Sequence, residues 1–140
     1  MPFRLCGVRS RTVLSVEDDD GSFSVISFAF REVAPSIQLQ RAVDGDEALA
    51  VLRQNQQSCI DQPSLILMNL NLPKRNGFEL LHEMQRERLI DSVPVVVFSS
   101  SSLDSDKARC LALGAKAFFT KPDSFDGVVK TIESVCSLIS

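Results

Sequence analysis

Residues 64–77 read Ser-Leu-Ile-Leu-Met-Asn-Leu-Asn-Leu-Pro-Lys-Arg-Asn-Gly, and the order of polarity along them decides the fold. Leu65, Ile66, Leu67 and Met68 form an unbroken apolar run. The chain then turns polar at Asn69 and Asn71, meets Pro73 and closes on the turn pair Asn76 and Gly77. A short apolar run bounded by turn residues reads as a strand buried on both faces, the kind found in a parallel sheet. Such sheets bind their ligands beyond the carboxyl ends of the strands. Asn69 stands at that end, so the chemistry is expected there. An amide can coordinate or hydrogen-bond, but it carries no charge and is a poor nucleophile.

Outward from this strand (65–69), the pattern alternates strand and helix. Residues 12–16 are a β-branched strand that stops in Glu17, Asp18, Asp19 and Asp20. Phe23, Ile26, Phe30 and Val33 recur at helical spacing over 21–33, and Pro35 closes that helix. Residues 37–43 read as a strand, and 47–54 as a helix capped by Asp44 or Asp46 with Ala48, Leu49, Val51 and Leu52 inward. Residues 55–63 are an irregular loop with Cys59 and Ile60 tucked in. After the central strand come a helix over 78–88 with Phe78, Leu81 and Met84 inward, and an apolar strand over 93–98. A helix over 104–113 ends at Gly114. A strand over 117–120, a turn at Lys121 and Pro122, and an amphipathic helix over 125–139 complete the chain. Five strands alternating with five helices predict an α/β, doubly wound parallel sheet with helices on both faces.

Composition narrows the class. The chain has 140 residues, enough for one domain with a proper core. Its net charge of −3 argues against non-specific nucleic-acid binding. No apolar run approaches the roughly 20 residues that cross a bilayer. Residues 1–11 carry Arg4, Arg9 and Arg11 without an apolar segment and read as a basic lead-in, leaving 12–140 as the domain. Cys6, Cys59, Cys110 and Cys136 are too scattered for a Cys-x-x-Cys motif and read as reduced, packed thiols of a cytoplasmic protein. The single histidine, His82, reads as an exposed helix residue.

The strand ends carry Glu17 and Asp18, Asn69, Ser99 and Lys121, and a parallel sheet sets all of them along one edge. An acidic pair with further oxygen ligands suits Mg²⁺. A lysine and a hydroxyl beside it suit a phosphoryl group.

Taken together, Val16-Glu17-Asp18-Asp19, the run 65–73, Gly77, Ser99, Gly114-Ala115 and Phe119-Thr120-Lys121-Pro122 resemble a receiver domain of the two-component response regulators. Residues 12–139 share the likeness. The wording Leu-Asn-Leu-Pro and the long loop before the central strand are most similar to single-domain receivers associated with bacteriophytochrome-type histidine kinases. The resemblance implies a flavodoxin-like sheet in the order 2-1-3-4-5. It implies that Asp18 would ligate Mg²⁺ directly, Glu17 through water, and Asn71 through its backbone carbonyl, with Asn69 completing the metal set. Ser99 and Lys121 would contact the phosphoryl group, and Phe118 would occupy the aromatic switch position. The peptide bond joining Lys121 to Pro122 would be cis.

One departure bears on function. The family's phosphoacceptor is an aspartate, and here that position is Asn69. The amide cannot form an acyl phosphate usefully, and the lost charge predicts weak Mg²⁺ binding. A natural pseudo-receiver and an inactive variant of an active chain both account for it. The expected function is a non-enzymatic receiver in phosphorelay signal transduction, partnered by a sensor histidine kinase or a downstream signalling protein. The face built from 104–113, 117–120 and 125–139 would make the contacts, and a homodimer is a further possible partner. No DNA-binding segment follows Ser140, so no direct nucleic-acid contact and no membrane contact are expected. The alternative is a phosphorylation-independent protein–protein interaction module.

Overall fold

The computed structural model describes residues 11–139. Along the chain run β1 (Thr12–Val16), α1 (Asp20–Val33), β2 (Gln38–Ala42), α2 (Gly45–Gln57), β3 (Leu65–Met68), α3 (Gly77–Arg86), β4 (Val95–Ser99), α4 (Asp104–Ala112), β5 (Ala117–Thr120) and α5 (Phe125–Cys136). All neighbouring strands pair in parallel, in the order β2-β1-β3-β4-β5. This is the expected flavodoxin-like order. The expected lead-in lies, apart from Arg11, outside the described residues. No helix among the described residues is long and apolar enough to cross a membrane.

The period of two along each strand divides the core. Leu14, Val16, Ile66, Met68, Val95 and Val97 face one side, against Leu49 and Leu52 of α2 and Leu80, Leu81 and Met84 of α3. Val13, Leu65, Leu67, Val96 and Phe98 face the other, against Ile26 and Phe30 of α1 and Val128, Ile132 and Val135 of α5. Each such side chain contributes about 1.5–3 kcal/mol on burial. β3 is buried at every position, which is why it carries no polar residue until Asn69.

Side chains set most helix starts. Asp19 accepts from Ser22 N, Asp44 from Glu47 N and Ser124 from Gly127 N. Asp44, rather than Asp46, is the α2 cap. Asn76 and Glu79 form a reciprocal capping box at α3. Gly114, at φ +104°, takes the left-handed position after α4.

Several boundaries differ from the sequence reading, each for a local reason. β4 begins at Val95 because Pro94 has no N–H for the ladder. α3 ends two residues early, and Arg88 follows at φ 58°. Leu80 rather than Phe78 is buried; Phe78 is half-buried, with the Arg109 guanidinium 4.0 Å from its ring centroid. α2 runs on to Gln57, and Cys59 then turns at φ 55°, which leaves Cys59 exposed and Ile60 57% exposed rather than tucked in. Cys110 is a packed thiol, and burial pushes its pKa up to about 11. No peptide bond among the described residues is cis, so Lys121 and Pro122 are joined in trans.

Gly77 brings α3 against the end of the sheet. Its N–H donates to Leu70 O at 2.8 Å. A Cβ there would lie 2.7 Å from Leu70 Cα and 2.9 Å from Asn69 O, both backbone atoms. Gly77→Ala is therefore expected to cost about 1–3 kcal/mol through overpacking, measured as a lower urea midpoint.

Charges on the surface tie α2 to α3. Arg53 Nε donates to Glu87 Oε1 at 2.8 Å, and Arg86 pairs with Glu83. The hydrogen bond from Arg53 draws the Glu87 pKa down to about 2 from 4.5. A depressed carboxyl contributes stability above its unfolded pKa and loses it as pH falls toward its folded one. Glu87→Gln should flatten the loss of stability between about pH 4.5 and pH 2, read by acid titration of the circular dichroism signal.

Candidate functional site

The strand registers bring the carboxyl ends of β1, β3, β4 and β5 to one edge. Val16 pairs with Met68, Met68 with Val97, and Ser99 with Thr120. The next residues along the chain, Glu17, Asn69 and Lys121, therefore meet there.

Glu17 is the centre of the cluster. It is 2% exposed, and a buried carboxylate needs donors. Lys121 Nζ reaches its Oε1 at 2.9 Å. Asn69 Nδ2 donates to Oε2 at 3.3 Å, and Asp19 N–H donates to the same oxygen at 3.2 Å. Asn69 Oδ1 in turn accepts from Asn71 N–H at 3.3 Å. These partners orient the amide: a carboxylate only accepts and a backbone N–H only donates, so the nitrogen must face Glu17.

The other expected residues stand around this cluster without joining it. Asp18 is exposed, and its backbone carbonyl accepts from Arg41 Nη2 at 3.2 Å. Ser99 is fully buried, and its Oγ accepts from Ser101 N–H at 3.2 Å. Phe118 is half-buried against the core on the α2–α3 side of the sheet.

Three further contributors complete the surroundings. Asp19 caps α1, and the Ser22 N–H on its carboxylate lowers its pKa. Ser101 organises the turn into α4. Its Oγ donates to Asp106 Oδ2 at 2.6 Å, and its carbonyl accepts from Thr120 Oγ1 at 3.0 Å. Arg41 reaches across from β2 to the 17–20 loop.

The oxygens brought together here are the Glu17 carboxylate and the Asn69 amide oxygen, with Asp18 and Asn71 adjoining them in the chain. All are hard ligands, suited to Mg²⁺ rather than to a thiophilic metal. Only two of them are charged, and no cluster of three or more His, Cys, Asp or Glu among the described residues forms a metal cage. The oxygen chemistry of the set fits Mg²⁺ in kind.

The chain is similar to proteins whose names describe their work. A family model for the response regulator receiver domain matches residues 13–133. "Probable methanogenesis regulatory protein FilR2" of Methanothrix harundinacea is 30% identical over 123 residues, covering 88% of this chain and 79% of that protein. Response regulator Rcp1 of Synechocystis sp. is 27% identical over 126 residues, 89% of this chain and 86% of Rcp1. Among solved structures, the phosphorylated cyanobacterial phytochrome response regulator RcpA superposes with a TM-score of 0.81 at 28% identity, over 91% of each chain. The Mn²⁺-bound form of Rcp1 gives 0.79 at 27% identity, over 91% of this chain and 92% of that one.

Removing Lys121 would leave Glu17 buried without its cation. Lys121→Ala is expected to destabilise by the lower end of about 3–5 kcal/mol, because the lysine is itself partly solvated. Adding Glu17→Gln should recover most of that loss. Urea titration of the three chains checks both statements.

Proposed function

We propose a function on one premise: this chain belongs to the response regulator receiver domain family. Its place is in two-component signalling. Within that role, we read it as a receiver whose phosphoacceptor site is impaired by Asn69 and whose output does not depend on phosphorylation. The observation that carries this reading is the hydrogen bond from Asn69 Nδ2 to Glu17 Oε2.

An aspartate at position 69 would set a second carboxylate against Glu17. Two like charges 4 Å apart cost about 4 kcal/mol at an effective dielectric of 20, which a bound cation would relieve. The amide removes that repulsion by donating instead. It also removes the nucleophile: transfer from a phosphohistidine needs a carboxylate oxygen to bond to phosphorus while the imidazole nitrogen leaves. Lys121, which would otherwise neutralise phosphoryl oxygens, is engaged by Glu17.

Glu17, Asp18, the Asn69 amide oxygen and the Asn71 carbonyl are the groups that would hold Mg²⁺, and weakly. When bound, it would supply positive charge beside phosphoryl oxygens. The Mn²⁺-bound form of Rcp1 supports a divalent ion as the relevant ligand class. Ser99 would follow a phosphoryl group by hydrogen bonding, and Phe118 would report the switch state.

The output surface is the face of α4, β5 and α5. Leu103 is 61% and Leu111 42% exposed at α4, and Phe118 and Phe119 of the edge strand β5 are half-buried on its two faces. A histidine kinase or a downstream signalling protein is the partner it suits.

Intact mass after incubation with acetyl phosphate and Mg²⁺, on this chain and on Asn69→Asp, is the test. We expect a phosphoryl adduct on Asn69→Asp alone. An adduct on the unaltered chain would sink the reading, and an adduct on neither would show that the site has lost more than a carboxylate at position 69.

A further inference from the structure

The acidic loop between β1 and α1 has no strand partner of its own beyond Glu17, whose N–H donates to Ala42 O at 2.9 Å. Within the loop Asp19 N–H donates to Glu17 Oε2, and one side chain from β2 ties the loop to the sheet. Arg41 Nε donates to Glu17 O at 3.0 Å. Its Nη2 donates to Asp18 O at 3.2 Å, and its Nη1 pairs with Asp20 Oδ1 at 2.8 Å. Its Cζ stands 4.9 Å from the centroid of the Phe23 ring on α1. The side chain is 23% exposed.

We infer that Arg41 is the positioning residue of this site, its forked guanidinium, rather than its charge, fixing the 17–20 loop that carries Glu17 and Asp18. The inference rests on the reading of those two residues as the acidic pair.

The contacts separate geometry from charge. Two of the three polar partners are backbone carbonyls, which bind a donor for its direction and cannot be replaced by a nearby point charge. The third, Asp20, is 92% exposed, so that ion pair contributes little by itself. The planar fork spans three residues of the loop and stacks on Phe23 at once. A lysine offers a compact ammonium that cannot span those carbonyls or lie flat on the ring. Coulomb's law alone makes the opposite demand, since a cation beside the acidic pair opposes the approach of a second cation.

The test compares the unaltered chain with Arg41→Lys and Arg41→Met. Amide hydrogen exchange is followed at Asp19 and Ser22 in the loop and at Val97 in β4 as the reference for global opening. Mn²⁺ affinity is measured by calorimetry for the same changes placed in Asn69→Asp. Both variants should raise exchange at Asp19 and Ser22 by ~10-fold or more relative to Val97. Both should weaken Mn²⁺ binding by roughly 3- to 10-fold, the lysine failing to rescue. Lysine behaving like arginine, with methionine tightening Mn²⁺ binding, would overturn the inference in favour of charge. Unchanged exchange, or a rise shared equally by Val97, would overturn it too. Absence of Mn²⁺ uptake by every chain would count against the cation reading of the site, while the exchange data still decide the role of Arg41.

Discussion

A carboxylate that cannot reach water organises this molecule. Glu17 follows β1 directly and is almost completely buried. Its donors come from Asp19, Asn69 and Lys121, and the last of these is 104 residues away in sequence. Burying such a group unpaired costs several kcal/mol, a large part of a domain's net stability. The strands carrying those donors must therefore end level with β1. A parallel sheet with β1 and β3 adjacent and β5 two strands further does this, and the observed register leaves every one of those strand ends on the same edge.

The two cores hold that edge still. Because β3 is covered on both faces, its terminus has no freedom to slide without exposing Leu65, Leu67, Ile66 and Met68 together. Gly77 then closes α3 over the strand end, its N–H on Leu70 O and no room for a Cβ. The backbone carrying Asn69 is thus fixed on one side by the β1 ladder, where Asn69 N–H donates to Val16 O at 3.1 Å, and on the other by a helix start. Side chains borne on so rigid a frame meet at hydrogen-bonding distance.

The fold was legible because its signals are local. Leu65-Ile66-Leu67-Met68 and Val95-Val96-Val97-Phe98 are unbroken apolar runs, and that pattern has few readings besides a doubly covered strand. Where the signal was weaker the reading slipped. Phe78 and Leu80 are both apolar at the start of α3, and only packing shows that Leu80 is the buried one while Phe78 accepts a guanidinium on its ring. Cys59 and Ile60 looked sheltered because they are apolar, yet a left-handed turn at Cys59 presents them to solvent. At the site, the residues lining the edge follow from counting strand ends. Which of them bond does not, because the pairing of Lys121 with Glu17, and the clamp by Arg41 in a strand of alternating polar residues, arise only once β2 lies beside β1.

The proposed function follows from how charge is balanced at that edge. A site built to accept a phosphoryl group keeps negative charge in surplus, so that a cation is needed before the anion can approach. Here an amide stands where a second facing carboxylate would, and its hydrogen contributes to Glu17 what an external cation would otherwise supply. Lys121 completes the balance from inside the chain. Both oxygens of the buried carboxylate are occupied by protein donors, so neither metal nor phosphoryl group is required to hold the strand ends together. On the proposed reading, the information such a receiver carries lies in whether its partner is present rather than in whether the chain has been phosphorylated.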